Sequence, residues 1–421
     1  MEIFIIFVSL IKKMPMLRKA LFLLIFTAVA HLVAAQYVRL TPATASSALY
    51  FDSYRLVNYN RYDGWHFDVA LHYAYPNDNS ERGRHSRFQW QCKAFAGYGV
   101  KTKAMSYGGE AALIDRHTRR WRYSIAYSHQ LEQAGATTLD DYNMFNFAEN
   151  SVYRADRFSL ADRITVASAA NASDNLRLQA SLSYSLERRL FDNYGILLYD
   201  DAINTPLLRY GSAILRATYL QRLSLTARAT MRFDHSTAPF AMLLAQYKHR
   251  TPIAEGLRCR LFLQGGATTP NTPYPYLFDI SGTAATHSRI GYFFHNTMLT
   301  VAPNEFHAHL FARGIVTLEL AQPIYNFAFS SPIPFVQLGM MGGWLIDDNH
   351  ISDSSLVDGI AVQAPSQGIA EPAIGINRLL RWRLLEGGVA VAYRLTPHNA
   401  PYHHNDTKDN LSLMVSLQLG I

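Results

Sequence analysis

Residues 176–187 read LRLQASLSYSLE, an alternation of apolar and polar residues without a fault. Because successive side chains of a strand point to opposite faces, the stretch predicts a strand with one apolar face and one polar face. The pattern returns at residues 223–233 and 411–421. Strands of this kind, roughly 9–11 residues long, cross a bilayer with the apolar face towards lipid. The sequence therefore predicts an all-β fold, a transmembrane antiparallel β-barrel.

Residues 1–35 have the pattern of a secretion signal. Four basic residues between positions 12 and 19 precede an apolar stretch, and the sequence VAA at 33–35 provides a cleavage site of small residues. Met14 and Met16 are alternative start positions, because the residues before them add a second apolar run.

One barrel is expected to fill the chain after this signal. We expect a signal peptide at residues 1–35, a short N-terminal segment at 36–53 and the transmembrane β-barrel at 54–421. The composition is even and no Gly/Ser-rich linker marks a second domain. After residue 35 no apolar run approaches the length of a membrane-spanning helix, so residence in the outer membrane has to come from strands.

The composition fits a membrane barrel better than a nucleic-acid-binding protein. The chain has 25 Tyr and 23 Phe, residues that barrels place in girdles at the membrane interfaces. The formal net charge is +7, and the four basic residues and one acidic residue of the signal account for three of these charges, which leaves +4. This mild excess argues against a nucleic-acid partner.

The number of strands is predicted from the number of segments with a strand pattern. Segments with a strand pattern number about 17, whereas single-chain barrels of this kind have an even number of strands. Either one of the predicted strands between 289 and 346, which are 289–300, 305–320 and 333–346, is spurious, or residues 325–329 form an extra strand. We predict about 16 strands, within a range of roughly 14 to 18.

The lengths of the connections predict an orientation. Outer-membrane barrels have short periplasmic turns and longer extracellular loops. The long polar loops are therefore predicted to be extracellular, and these are 131–155, 189–206, 347–367 and 396–409. The polar stretch 76–87 would then be an unusually long periplasmic turn.

Several short motifs resemble one family of Gram-negative outer-membrane barrels of unknown function. Residues 56–64, LVNYNRYDG, resemble the opening strand of that family, in which an Asn-Arg pair precedes a glycine turn. Four further matches follow in the family's order, and these are Asn304-Glu305-Phe306, residues 371–377, residues 391–394 and Asp409-Asn410-Leu411. The family is a relative of the BamA/TamA-type surface-antigen barrels.

The resemblance implies a structural role, or a role in assembly or export. A carboxypeptidase-regulatory-like domain commonly precedes the barrel in the family, and residues 36–53 are too short to contain it. The implied partners are outer-membrane lipid, the barrel-assembly machinery during insertion, and a periplasmic partner in place of that domain.

BamA-type barrels also carry an Arg-Gly-Phe/Tyr signature on an inward-folded loop. The nearest matches are Arg313-Gly314-Ile315, which lacks the aromatic residue, and residues 289–292, RIGY, which have one extra residue. The alternative for both is an ordinary strand segment.

Along the predicted strands, the alternate positions that hold polar residues include basic residues, whose side chains would face the lumen. The candidate lumen-lining residues are Arg177, Arg228, Arg232, Arg258, Arg260 and Arg313. Enclosed charges either line a water channel or form salt-bridge networks that fill the barrel. A passive channel or transporter with a basic, anion-favouring lumen is therefore the alternative to the structural or assembly role.

A barrel enzyme is the third class. Asp234, His235 and Ser236 are consecutive, and on an extended chain they point to alternate sides, so they cannot form a relay. The histidines between 398 and 404, with Asp406, match no ligand spacing of a metal site. We predict that the chain is not an enzyme and has no catalytic, cofactor-binding or metal site.

Overall fold

The computed structural model describes most of the chain after residue 36. The described residues are 37–42, 45–52, 58–60, 64–77, 80, 85–100, 103–115, 121–133, 158–189, 208–233, 239–273, 276–280, 290–292, 296–301, 306–327, 329–346, 364–382, 385–396 and 410–419. The predicted signal peptide at 1–35 lies outside them.

Almost all of the regular structure is β-strand. In chain order the strands are β1 (Tyr37–Arg39), β2 (Ala48–Asp52), β3 (Asn58–Asn60), β4 (Gly64–Tyr75), β5 (Phe88–Gly99), β6 (Met105–Asp115), β7 (Trp121–Gln133), β8 (Phe158–Asn171), β9 (Leu176–Arg189), β10 (Leu208–Tyr219), β11 (Leu223–Arg232), β12 (Phe240–Ala254), β13 (Leu257–Thr268), β14 (Phe278–Asp279), β15 (Ile290–Tyr292), β16 (His307–Ala308), β17 (Leu310–Leu320), β18 (Ile333–Trp344), β19 (Ile369–Trp382), β20 (Leu385–Tyr393) and β21 (Leu411–Leu419). The described residues contain no helix that is long and apolar enough to span a membrane.

Nineteen strands form one sheet, in which each long strand pairs antiparallel with the next. Three of the nineteen, β1, β3 and β15, have only three residues. The sixteen longer strands confirm the prediction of a barrel of about 16 strands. Among the described residues the pairings run from β1 to β21, and none joins the first strands to the last.

The two faces of the strands differ as predicted. On β9 the apolar parity is outside, with Leu182 66% exposed, whereas Glu187 on the polar parity is 3% exposed. On β17 the side chains of Leu310 and Leu318 are exposed and that of Phe311 is buried. Large apolar side chains exposed along every long strand are the reverse of a soluble protein, and they form a surface suited to lipid.

The antiparallel order places the connections at two ends of the barrel. We call the end with the turns 172–175, 220–222 and 255–256 the turn end, and the opposite end the loop end. The strands that flank the four predicted long loops all meet at the loop end, although most residues of those loops lie outside the described part. The connection at 76–87 lies at the turn end, as predicted.

The predicted strand at 289–300 is wrong. β13 pairs directly with β17, from Leu257 opposite Leu320 to Ala267 opposite Leu310, so the described residues between them are not part of this ladder. We call the described residues between 269 and 309 the interior connection. Only Ile290–Tyr292 within the predicted stretch is a strand, and it pairs parallel with β21. Residues 325–329 are not an extra long strand either, because Phe327 and Ser330 form an isolated bridge.

Candidate functional site

The interior connection is the most deeply buried part of the protein. Its described apolar residues are 2% exposed or less, and these are Tyr276, Leu277, Phe278, Ile280, Met298, Leu299, Val301, Phe306 and Ala308. Side chains of this size each contribute about 1.5–3 kcal/mol when they are fully buried. The connection is therefore a packed element of the protein.

The connection packs against the inner face of the wall in three clusters. The first joins it to inward-facing residues of β12, β13 and β17–β19, among them Leu244, Phe262, Phe311, Ile315, Met341 and Ile369. The second joins Leu299 to Phe335 on β18 and Met414 on β21. The third joins Tyr276 to β10 and β12 through Tyr210 and Phe240. Together the clusters cover inner-face residues of strands between β10 and β21.

Glu371 of β19 holds one part of the connection by three hydrogen bonds. The oxygens of its carboxyl group accept from the backbone nitrogens of Leu299 at 2.6 Å and Thr300 at 2.8 Å, and from the Thr300 hydroxyl at 2.6 Å. Glu371 is 0% exposed, and the buried Arg394 donates a hydrogen bond to the carbonyl oxygen of Thr300. We call this arrangement the Glu371 clasp.

A second carboxylate holds the connection on a different part of the wall. The Tyr276 hydroxyl donates to the carboxylate of Glu187 on β9, at 3.0 and 3.1 Å to the two oxygens. Glu187 also accepts from the Ser185 hydroxyl at 3.0 Å and from Arg163 at 3.3 Å. The guanidinium of Arg228 lies 4.9 Å from the centre of the Tyr276 ring, within reach of a cation–π contact. The connection is therefore attached to both early and late strands.

The wall leaves space for the connection at a glycine. A Cβ atom at Gly343 on β18 would lie 2.7 Å from Cδ1 of Ile280 and 3.1 Å from Cβ of Ala308. Both neighbours belong to the interior connection. A side chain at this position would have to displace the end of the Ile280 side chain and would crowd Ala308, so glycine permits the close approach.

Three of the predicted lumen-lining arginines are bound in interior networks. Arg313 is 6% exposed, donates to Oε1 of Gln264 at 2.6 Å, and has its guanidinium 5.4 Å from the Phe262 ring centre. Arg228 donates to the Thr230 hydroxyl at 3.1 Å and to Ser212 at 3.3 Å. Arg260 donates to Glu319 at 2.9 Å.

Of the other three predicted arginines, Arg258 lines the same cavity as Arg260, whereas Arg177 and Arg232 lie elsewhere. Arg177 is at the second position of β9, exposed at the turn end. Nε and Nη2 of Arg232, near the loop end, are buried and make no hydrogen bond with the described residues. Arg258 lines a cavity at the turn end. The structure therefore does not bring the six arginines into one path.

The two matches to the Arg-Gly-aromatic signature have different positions. Arg313-Gly314-Ile315 belongs to β17 and is an ordinary part of the wall. Of residues 289–292, Arg289 lies outside the described residues, and the other three form β15 on the interior connection. The second match is therefore the one that lies on a connection that leaves the wall.

A buried cluster of His66, Asp68 and Ser106 resembles a catalytic triad only in composition. Nε2 of His66 lies 3.1 Å from Oδ1 of Asp68 and 3.0 Å from Oγ of Ser106. Both contacts use the same ring nitrogen, whereas in a relay the carboxylate orients one nitrogen and the hydroxyl binds the other. The arrangement does not activate the serine.

Two stretches that contain potential catalytic or metal-binding residues lie outside the described residues. These are residues 234–236 and the histidines between 398 and 404. Elsewhere in the described part, no group of three or more His, Cys, Asp or Glu is placed to hold a metal ion. The absence of enzyme activity stays a prediction.

Comparison with known proteins gives similarity in fold alone. No protein-family model matches the sequence, and no curated protein matches it. The structure is similar to the crystal structure of BamA from Haemophilus ducreyi lacking POTRA domains 1–3, with a TM-score of 0.52 and 8% identity over 89% of this chain and 70% of that chain. CdiB from Acinetobacter baumannii has a TM-score of 0.45 and 10% identity over 92% of this chain and 66% of that chain. On the first of these the chain has the fold of an outer-membrane β-barrel, similar to that of BamA.

Proposed function

We propose that the protein has an assembly or export role in the outer membrane, and that its own interior connection fills the lumen at rest. The Glu371 clasp is the observation that carries this proposal. It fastens a segment inside the barrel by hydrogen bonds, which can break and re-form, and leaves the wall itself uninterrupted between β13 and β17.

The burial of the connection argues against a passive channel. A conducting barrel needs a continuous aqueous path, whereas the clusters against β10–β21 are apolar and tightly packed. A segment that fills a lumen and is held by a few polar contacts acts as a displaceable plug. Such a plug suits a barrel that opens only when a client or partner binds.

The edge of β21 supports the same role. Over Ile290–Tyr292 the interior connection pairs with this edge in parallel, through only three residues. Parallel pairing is slightly less stable per residue than antiparallel pairing, and a free strand edge is a template for another strand. In this proposal the edge is protected by a short internal strand that an incoming strand can replace.

The orientation follows from the connections. The turn end faces the periplasm and the loop end faces outwards, as in barrels with short periplasmic turns. In this orientation a periplasmic partner meets the turn end. Outer-membrane lipid surrounds the exposed apolar face, and the barrel-assembly machinery inserts the chain.

A passive anion channel is the second candidate. It is favoured by the basic residues of the turn end, where Arg250, Arg258 and Arg260 face a cavity. If a path passes this cavity, its field would favour anions, and the preference would fade as salt shortens the Debye length from about 10 Å at 0.1 M to about 3 Å at 1 M.

The two candidates differ in planar-bilayer recordings and in the host. The assembly or export role predicts no steady current from the purified protein, together with lower levels of specific surface or exported proteins in a deletion strain. A steady, anion-selective current in the wild type would contradict it and support the channel. Arg228→Gln with Arg258→Gln should then shift the reversal potential towards cations. Lipid hydrolysis by the same preparation would instead support an enzyme.

A further inference from the structure

A polar cavity of about 270 Å³ lies at the turn end, on the inner face of β12, β13 and β17–β20. None of the residues that line it belongs to the interior connection. The lining residues are Arg250, Arg258, Arg260, Glu319, Ala321, Pro323, Ile333, Asn377, Arg378 and Glu386. Four arginines against two glutamates leave the lining with two positive charges in excess.

One carboxylate serves two of these arginines. Arg250 and Arg260 are direct cross-strand partners on β12 and β13, a placement that repels. Glu319, 2% exposed, accepts from Arg250 at 2.8 Å and from Nε of Arg260 at 2.9 Å. Its charge is therefore fully engaged by two guanidinium groups.

Among the described residues of the cavity, Arg258 is the arginine that has no carboxylate partner. It lies directly opposite Glu319 in the pairing of β13 with β17. Even so, within the described part of the chain its guanidinium makes no hydrogen bond or ion pair, because Glu319 binds Arg250 and Arg260 instead. A spare guanidinium in a cavity is a binding group for an anion, since its donors form a fork that matches a carboxylate or phosphate.

A β-bulge aims two consecutive residues into the same cavity. The pairing of β19 with β20 shifts register between Ile376 and Leu380, and Arg378 has a φ of 55°. Consecutive residues of a regular strand face opposite sides, but here Asn377 and Arg378 both line the cavity. Arg378 donates to Glu386 at 2.9 Å. The bulge therefore turns an additional polar side chain inwards.

Asn377 has an unused amide. It is 5% exposed, and its Oδ1 is buried without a hydrogen-bond partner among the described residues. An unpaired polar atom in the interior costs free energy unless a ligand satisfies it. A half-turn of the amide presents its NH₂ group as a donor, and the unturned amide accepts from a hydroxyl or a protonated phosphate.

From these features we infer that the cavity binds a phosphate group, either free or with a small attachment. The volume lies just below the range of roughly 300–1,000 Å³ that small-molecule pockets have, so a phosphate fits and a large ligand does not. A phosphate carries up to two negative charges and matches the excess charge of the lining, whereas a carboxylate carries one. Arg258 provides the direct contact, and Asn377 provides the polar contact beside it. The inference holds whether the barrel is plugged or conducting.

The binding test uses the full-length mature protein in a maltoside detergent, because phosphocholine detergents would compete. Calorimetric titration with inorganic phosphate at low ionic strength should give one saturable site. Arg258→Gln should weaken binding by roughly tenfold or more, the effect expected for one charge-assisted hydrogen bond. Arg258 holds no ion pair, so this change leaves the networks of Glu319 and Glu386 intact.

The matched control is Arg177→Gln, which removes an exposed arginine at the same end but outside the cavity. It should keep the wild-type affinity. Asn377→Leu should also weaken phosphate binding while it removes an unpaired amide, and it provides the test if Arg258→Gln does not fold. Folding of each variant is checked by heat-modifiable migration on a gel.

Three results would overturn the inference. These are no saturable binding by the wild type, equal weakening by Arg177→Gln and Arg258→Gln, and acetate binding as tightly as phosphate. The source of the phosphate is found by two further titrations. Tighter binding of a short-chain phosphatidic acid than of glycerol 3-phosphate indicates a lipid headgroup, and the reverse order indicates a soluble phosphate compound.

Discussion

The carboxylate of Glu371 accepts a hydrogen bond of 2.6 Å from the backbone nitrogen of Leu299, 72 residues earlier in the chain. The contact joins β19 of the wall to the interior connection. Because both residues are 0% exposed, no water competes for the bond. In the proposed function, contacts of this kind hold the connection inside the barrel.

Glu371→Ala should loosen the plug. It leaves three buried donors without their acceptor, which costs about 1–3 kcal/mol for each group, so we expect a loss of about 3 kcal/mol or more in the free energy of unfolding. In planar bilayers the variant should show bursts of conductance that the wild type lacks.

The control is Glu110→Ala on β6. Glu110 pairs with Arg122 at 2.8 Å and has no contact with the described residues of the interior connection. This variant should stay silent in bilayers. An equally silent Glu371→Ala variant of wild-type stability would show that the clasp does not hold the plug.

Leu182→Arg and Ser183→Arg test the two faces of β9. Leu182 is 66% exposed on the outer face, so a charge there faces lipid and should cost roughly 2–4 kcal/mol. Ser183 is on the inner parity, where an arginine reaches a polar lumen and should be tolerated better. Heat-modifiable migration ranks the two variants, and equal damage would mean that the faces are assigned wrongly.

The sequence predicts this alternation well because the membrane imposes it. A strand in a barrel has lipid on one side and a polar interior on the other, so Leu182 and Ser183 differ in polarity as their surroundings do. The same physical rule fails for the interior connection. Apolar residues such as Met298 and Leu299 are buried on the inner side of the wall, and hydropathy does not distinguish a side chain buried by protein from one that faces lipid.

A signal for the connection was nevertheless available. Pro270, Pro273 and Pro275 precede its buried run at 276–278, and proline is uncommon inside the paired strands of a sheet. The Glu371 clasp could not be predicted from the sequence, because two of the three groups that donate to Glu371 are backbone nitrogen atoms, which leave no mark in a sequence pattern. The six arginines were identified by parity, but parity does not show which of them pair with Glu319, a residue far from Arg250 in sequence.

Gly97→Ala tests the buried cluster of His66, Asp68 and Ser106. A Cβ atom at Gly97 would lie 1.8 Å from Oδ1 of Asp68, so the cluster would have to move, at a cost of about 1–3 kcal/mol. Gly265→Ala is the control, because its nearest atom would be a backbone oxygen at 3.4 Å. Thermal midpoints of the two variants measure the difference. Equal midpoints would show that the cluster adapts without cost.

Deletion of residues 417–421 should prevent insertion into the outer membrane. Residues 417 and 419 pair with Gly387 and Leu385 on β20, so the deletion removes part of the last ladder of the sheet. We expect the truncated protein to stay in the periplasm and be degraded there. Leu413→Ala keeps these pairings and is the control. Normal outer-membrane levels of the truncated protein would contradict the barrel interpretation.

The position of the interior connection constrains the order of assembly. Tyr276 binds a strand made earlier, through Glu187, and Leu299 binds a strand made later, through Glu371. A nascent chain that ends before β19 has no acceptor for Leu299, so the plug cannot be fastened while the wall is half built. The two attachments of the connection therefore form in sequence, the first once β9 is present and the second only after β19 has been made.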